Sequence, residues 1–495
     1  MTLEKSYNKI PYSSKAFEKT QPYFLRNIMN ILSFETPDIK KARVLEIGCS
    51  FGGNILPIAL NFPETEVVGI DLSSVQINKG NEIIRKIGLT NIRLINQNIL
   101  EYSNDLGKFD YIICHGVFSW VPEIVAEKIL DVIKENLTEN GVALISYNTY
   151  PGWAKYDVYK NLMKFRVDFL NENGAEISDV DKINYGRGAL EFLEKYSHLP
   201  KEFKESIKSV IDKDDYYLLH EYFEEYNKPM YLYEFNNMLL KKDLFHVTDA
   251  NLALTFKLPK DNEALSLIDK ECGDNLLAKE QYYDYMYNTQ FRSSIITHKN
   301  NKGKINLSES FNRKNLEKLY ISGNFLFENG QYSIRNSKFS VVNKKIEKLI
   351  KHLTKIYPAN ISIEEILKKY GDDLLKEILH LILLNAIEIF PYKIDKKDSL
   401  LNINGLISKY LNVSFEESNA IKISNYRGQV CEINEYLIRV IDKILKLEKF
   451  EEPSDIIVKM LKEKELTVNV DESEYMKIVD NILKEVKQVL DFFLI

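Results

Sequence analysis

Two hydrophobic periods alternate over the first 150 residues of the chain. Short apolar runs rich in Val and Ile recur at 42–49 (ARVLEIGC), 65–71 (TEVVGID), 91–98 (NIRLINQN), 109–116 (FDYIICHG) and 141–148 (GVALISYN). Between them, segments such as SSVQINKGNEIIRKIG and PEIVAEKILDVIKENL repeat apolar residues at intervals of three and four, the period of a helix with one buried face. Apolar runs joined by amphipathic helices predict βαβ units and a Rossmann-like α/β fold with a mostly parallel sheet. Open sheets of this kind bind ligands beyond the carboxyl ends of their strands. The chemistry is therefore expected just after each apolar run.

Past residue 153 the pattern turns helical. KYDVYKNLMKFRVDFL places Tyr156, Tyr159, Leu162 and Met163 on one stripe, and GRGALEFLEKY and PKEFKESIKSVI add two more helices. This predicts a helical segment with little core of its own, whose stripes bury against a partner. Near the C-terminus, KFSVVNKKIEKLIKHLTK, ISIEEILKKY and DLLKEILHLILLNAIEIFP read as three helices and a short strand. That order resembles a winged helix.

Composition narrows the function. A chain of 495 residues, 45% of them hydrophobic, holds more than one core. The net charge is −6, with lysines scattered among acids and no dense basic stripe for tracking phosphates. Nucleic acid is not an expected partner, and the winged-helix-like part is read as structural or protein-binding. Cys49, Cys114, Cys272 and Cys431 show no CxxC spacing, so neither a disulfide framework nor a metal site is expected. The first residues lack an apolar signal core, and the longest apolar run, Leu379 to Phe390, is too short to span a bilayer. The expectation is a cytoplasmic protein without membrane insertion. Acidic clusters at DKDD (212–215) and FEEY (223–226) read as solvated faces or as attraction for a lysine-rich substrate.

The strand ends carry the candidate site. In VLEIGCSFGGN, Gly48, Ser50, Gly52 and Gly53 predict a tight strand-to-helix turn where backbone can approach a ligand, flanked by Glu46 and Asn54. Asp71 closes the next strand, where an acid accepts hydrogen bonds from the ribose hydroxyls of an adenosine. A nicotinamide fingerprint needs glycine where Ser50 stands, because backbone must touch a pyrophosphate there. S-adenosyl-L-methionine, which has no pyrophosphate, fits better, with NAD the second choice. Asn98 suits the adenine amino group and Ile99 its face. After the fourth and fifth strands come His115, Phe118, Trp120, Tyr147, Tyr150 and Trp153. Their aromatic faces suit a sulfonium, which desolvated rings stabilise by about 2 kcal/mol or more; alternatively they pack the end of the sheet. His115 reads either as a base or as a hydrogen-bonded spacer.

PYSSKAFEKTQP, ARVLEIGCSFGGN, VVGIDLSSVQINKG, FDYIICHGVFSWVP and ALISYNTYPGW closely resemble the bacterial class I methyltransferases that carry a methyltransferase regulatory domain. The resemblance resumes at HEYFEEYNKPMYLYEF and KEQYYDYMYNTQFRSSIITH and covers about the first 300 residues. That family includes rickettsial enzymes methylating lysines of outer-membrane protein. The resemblance implies a cofactor domain over 1–154, a helical dimerisation segment over 155–215, a regulatory middle domain over 216–300 and a C-terminal domain over 301–495. It places cofactor contacts on Gly48, Asp71, Asn98, Ile99 and His115. Ser50 departs from the family's alanine or glycine, and Phe118 from a common tyrosine. The expected function is methyl transfer from S-adenosyl-L-methionine to lysine amines of a protein by a homodimer. A small-molecule methyltransferase and a protein that only senses the cofactor are the alternatives. At a reference pKa of about 10.4, roughly one lysine in 2,500 is neutral at pH 7. Burial beside a sulfonium is expected to recover part of that deficit without a dedicated base. Trp120, Tyr147, Trp153 and His115 are the candidate catalytic residues.

Overall fold

A computed structural model describes residues 14–224, 226–257, 263–308, 311–334, 337–394, 409–411, 413, 420–425, 430–445, 452–463, 465–466 and 474–493. β1 (Arg43–Ile47), β2 (Glu66–Asp71), β3 (Ile92–Asn96), β4 (Phe109–Cys114) and β5 (Leu137–Asn148) pair in parallel in the order 3-2-1-4-5. The first four lie inside the apolar runs that predict them, and β5 begins four residues before its run. Val44, Val67 and Tyr111 point into one hydrophobic layer, while Leu45, Val68 and Ile112 point into the other. Burial on both faces is why these strands read as continuous apolar runs and not as alternating ones. The helix Ser74–Ile87 starts where the Ser73 hydroxyl accepts the Gln76 N–H at 3.3 Å and stops at Gly88 in the left-handed conformation.

The sheet does not end at residue 154. β6 (Leu244–Asp249) and β7 (Phe291–His298) extend it to the order 3-2-1-4-5-7-6, with β7 antiparallel to both neighbours. Two segments expected in a separate middle domain over 216–300 thus complete the first sheet and cover the outer edge of β5. Their buried positions include Thr248, Asp249, Arg292 and Ser294, so they lack the apolar signature that marks β1 to β5.

The helical segment also departs from expectation. The helices Ala154–Glu172, Asp179–Tyr196, Lys201–Ile211 and Asp215–Tyr222 share a core of Tyr159, Met163, Ile183, Leu190, Ile207, Val210, Leu218 and Tyr222. The segment therefore has its own core, because four helices close around one another. Of the acidic clusters, Asp214 accepts the Tyr217 N–H as a helix cap and Asp215 pairs with Arg187 at 2.8 Å; Glu225 lies outside the described residues.

Further on, the helices Lys344–Ile356, Ile363–Tyr370 and Leu375–Leu383 accompany an antiparallel sheet of Ile361–Ser362, Tyr320–Ser322 and Glu388–Phe390. A hairpin, Ala420–Ser424 with Val430–Asn434, reaches back to the first domain. There the Ala16 N–H donates to the Lys422 carbonyl at 3.2 Å, and the Ser424 hydroxyl donates to Gln21 Oε1 at 3.0 Å. No helix among the described residues is long and apolar enough to cross a membrane.

Candidate active site

A cavity of about 550 Å³ opens at the carboxyl ends of β1 to β4. Glu46, Gly48, Ser50, Asn54, Asp71, Asn98, Ile99, His115 and Trp120 all line it. Gly48 adopts φ +77°, and a β-carbon there would lie 2.3 Å from Val117 Cγ2. The chain turns at this point only without a side chain. Gly52 and Gly53 serve a different purpose from the one expected. A β-carbon on Gly53 would lie 2.5 Å from the Ser14 carbonyl, and one on Gly52 would press on Leu94 at 3.2 Å. These two glycines admit protein, not ligand.

Asp71 ties the turn to β2. Its carboxylate accepts the Ser50 N–H at 2.8 Å and the Ser73 N–H at 2.9 Å. Burial pushes this carboxyl up, and the backbone N–H groups pull it back. Glu46 is buried at the end of β1, pushed up to about 8 by burial although Asn54 Nδ2 donates to it at 2.7 Å. Its Oε2 has no hydrogen-bond partner among the described residues. Asn54 Oδ1 in turn accepts from Phe17 N, Thr20 Oγ1 and Gln21 Nε2, each at 3.0 Å. Asn54 thus acts through Glu46 and through the N-terminal strap that supplies Ser14, Lys15 and Phe17 to the wall. Asn98 Oδ1 caps the short turn after β3 by accepting the Leu100 N–H at 3.1 Å.

His115 packs against Phe17 with ring centroids 4.2 Å apart and tilted by 58°, and meets Phe291 edge-on at 6.1 Å. Burial, reinforced by Lys15, pushes its pKa down to about 4, and its Nδ1 has no partner among the described residues. Besides Gly52, three predicted site residues, Phe118, Tyr147 and Trp153, do not line the cavity. Phe118 is buried edge-on against Phe235 at 5.5 Å, and Tyr147 packs on the same ring at 4.3 Å. Both rings enter the core beneath the helix Leu232–Lys241, a partner invisible in local sequence. Trp153 opens the helical segment against Tyr156 at 5.1 Å; it does not line the cavity. Conversely, sequence reasoning missed Ser14, Lys15, Phe17, His220 and Glu221, which line the cavity from distant segments. Only the recurrence of family-like motifs at PYSSKAFEKTQP and HEYFEEYN hinted at them.

The 3-2-1-4-5-7-6 sheet with its antiparallel β7 and a ligand cavity at the strand ends is the architecture of class I methyltransferases. Residues 38–184 match a methyltransferase domain, and residues 214–298 match a predicted methyltransferase regulatory domain. The uncharacterized protein RP028 of Rickettsia prowazekii (strain Madrid E) is 36% identical over 242 residues, 48% of this chain and 94% of its own length. RP789 of the same organism is 34% identical over 331 residues, 65% of this chain and 57% of its own length, so the match spans little more than half of that relative. PKMT2 from Rickettsia typhi, solved in complex with AdoHcy, superposes with a TM-score of 0.83 at 25% identity, covering 98% of this chain and 100% of that one. The chain belongs to the class I methyltransferases that carry a methyltransferase regulatory domain. Its cofactor is S-adenosyl-L-methionine. The residues present fit that molecule: the buried Glu46 Oε2, without a hydrogen-bond partner among the described residues, is an acceptor for a cationic group.

Proposed function

We propose that the chain transfers the methyl group of S-adenosyl-L-methionine to lysine amines of a protein substrate. One observation carries this reading: a single cavity joins the acids of the cofactor end, Glu46 and Asp71, to Trp120, His115 and residues of the helical segment. The likeness to PKMT2 of Rickettsia typhi supports it. S-adenosyl-L-methionine supplies an electrophilic methyl on a sulfonium. Asp71 holds the ribose, Asn98 and Ile99 hold the adenine, and Glu46 accepts from the ammonium of the amino-acid tail. Trp120 excludes water and presents an electron-rich face to positive charge. His115, neutral above about pH 4, is a wall of the cavity and a poor proton acceptor.

Incubating the protein with radiolabelled S-adenosyl-L-methionine and a bacterial lysate, fractionated by size, is expected to place label on lysines of protein bands. Label confined to small molecules, or absent altogether, overturns the assignment. Losing the Trp120 face is worth about 2 kcal/mol when desolvated, so Trp120→Ala is expected to slow single-turnover transfer about 30-fold. Trp153→Ala is expected to lower thermal stability and leave that step largely unchanged.

The same proposal includes a homodimer. Phe165 and Phe169 on one helix, and Phe192 and Tyr196 on its antiparallel neighbour, are more than half exposed and pair along i, i+4 stripes. A second copy laying its own stripes on these is the expected cover. Sedimentation at micromolar concentration is expected to give a dimer, and Phe165→Lys with Phe192→Lys a monomer. A monomeric wild type refutes this arrangement.

A further inference from the structure

We infer that Glu221 is the catalytic residue that receives the acceptor, its carboxylate binding the lysine ammonium and taking its proton. This rests on the protein-lysine reading above. Glu221 sits on the helix Asp215–Tyr222, in the helical segment and not in the sheet, and lines the same cavity as Glu46, Asp71, His115 and Trp120. Its Oε2 is buried without a hydrogen-bond partner among the described residues. Flanking residues Leu218 and Tyr222 lock the helix into the segment's core, so the carboxylate is held in place and not tethered on a loop.

The other cavity groups are less suited. Asp71 is engaged by the Ser50 N–H of the glycine turn and the Ser73 N–H after β2, and Glu46 stands on β1 beside that turn, held by Asn54. His115 is too weak a base, and Lys15 has the wrong charge. The groups around Glu221 are the phenols of Tyr156, Tyr217 and Tyr222; His220, the preceding residue on the same helix, and His115 and Lys15 from other segments line the same cavity. Burial pushes the Glu221 carboxyl up to about 7, which matches a base working near neutral pH. An arriving ammonium would be the opposite charge this buried oxygen lacks.

The step balances. An N–H bond of the ammonium breaks as an O–H bond forms on Glu221, so ammonium and carboxylate become amine and carboxylic acid. The freed lone pair forms the new N–C bond while the C–S pair leaves with sulfur. Glu221 then returns its proton to water. This replaces the expectation that burial alone activates the amine.

The test uses Glu221→Gln, with n-butylamine as a probe of the lysine side chain. In calorimetry, the variant is expected to bind S-adenosylhomocysteine within twofold of wild type, showing an intact fold. With S-adenosylhomocysteine present, it is expected to bind n-butylamine at least about tenfold more weakly. Single-turnover labelling of lysate protein at pH 7 is expected to fall about 100-fold or more. Its rate should then rise about tenfold per pH unit from 7 to 9, because the amine must arrive neutral. Wild-type n-butylamine binding is expected to strengthen from pH 5 to 8 as Glu221 ionises, a measurement needing no variant. If wild type labels protein lysine while both the variant's rate and its n-butylamine affinity match wild type, Glu221 is not the base and the lysine reading survives. Wild-type n-butylamine binding that stays flat from pH 5 to 8 also overturns the assignment. If wild type labels no lysine, the underlying reading fails and this inference with it.

Discussion

Asp71→Ala is expected to weaken S-adenosylhomocysteine binding by two to four orders of magnitude while the fold survives. A hydrogen bond to a charged acceptor contributes about 1.5–3 kcal/mol, so losing two from the ribose removes about 3–6 kcal/mol. A carboxylate has about four lone-pair positions; the Ser50 and Ser73 N–H groups occupy two, and the Leu72 N–H also faces the carboxylate. Acceptor capacity remains for the ribose. The same substitution frees the Ser50 N–H and loosens the turn, which adds to the loss. Stability is expected to change little, since Asp71 stands at a strand end and Ser73 still caps the following helix. Calorimetric binding close to wild type would contradict the pocket assignment.

Arg292→Met is expected to destabilise the protein by about 3–5 kcal/mol, the cost of leaving buried charges without their partner. Arg292 is fully buried on β7, paired in register with Tyr147 of β5. It donates to both oxygens of Asp284 at 2.8 Å and to Glu280 Oε2 at 2.7 Å, with Asp249 at 3.8 Å. Burial opposes ionisation of Glu280, yet His246 and Arg292 together hold its carboxyl below its ordinary value. Burial pushes Asp249 and Asp284 up while Arg292 pulls them back. Without the guanidinium, three carboxyls are left in the interior with far less compensation. Arg292→Lys is expected to recover only part of the loss, because an ammonium cannot reproduce the two-pronged contact. Urea unfolding midpoints check this, and an unchanged midpoint for Arg292→Met would refute it. Because Phe291, the preceding residue, touches His115, the damage is expected to reach the cavity wall as weaker cofactor binding.

This network shows where the sequence falls silent. In KEQYYDYMYNTQFRSS, Glu280, Asp284 and Arg292 look like ordinary surface charges, because side chains of this kind are almost always solvated. Only the pairing of β7 between β5 and β6 buries them together. The glycine turn was legible as a turn, since Gly48 and Ser50 both take positive φ. What each glycine faces was not legible. Gly48 answers to Val117, Gly52 to Leu94 and Gly53 to Ser14, all remote in the chain.

The sequence by itself determined β1 to β4 and most of β5, the helices between them and the order Glu46, Asp71, Asn98, His115 along the strand ends. Those features follow from local periodicity, and strand ends carry ligands by geometry. It also determined the helices Lys344–Ile356, Ile363–Tyr370 and Leu375–Leu383, whose amphipathic period is equally local. Tertiary structure alone decided which aromatic residues reach the cavity: Trp120 does, whereas Phe118 and Tyr147 are claimed by Phe235 from more than 80 residues away. It alone brought Ser14 to Phe17 and Glu221 to the same cavity from opposite sides of the sheet's sequence. A side chain's rotamer and neighbours depend on contacts between segments distant in the chain, and no local pattern of hydrophobic and polar residues records those contacts.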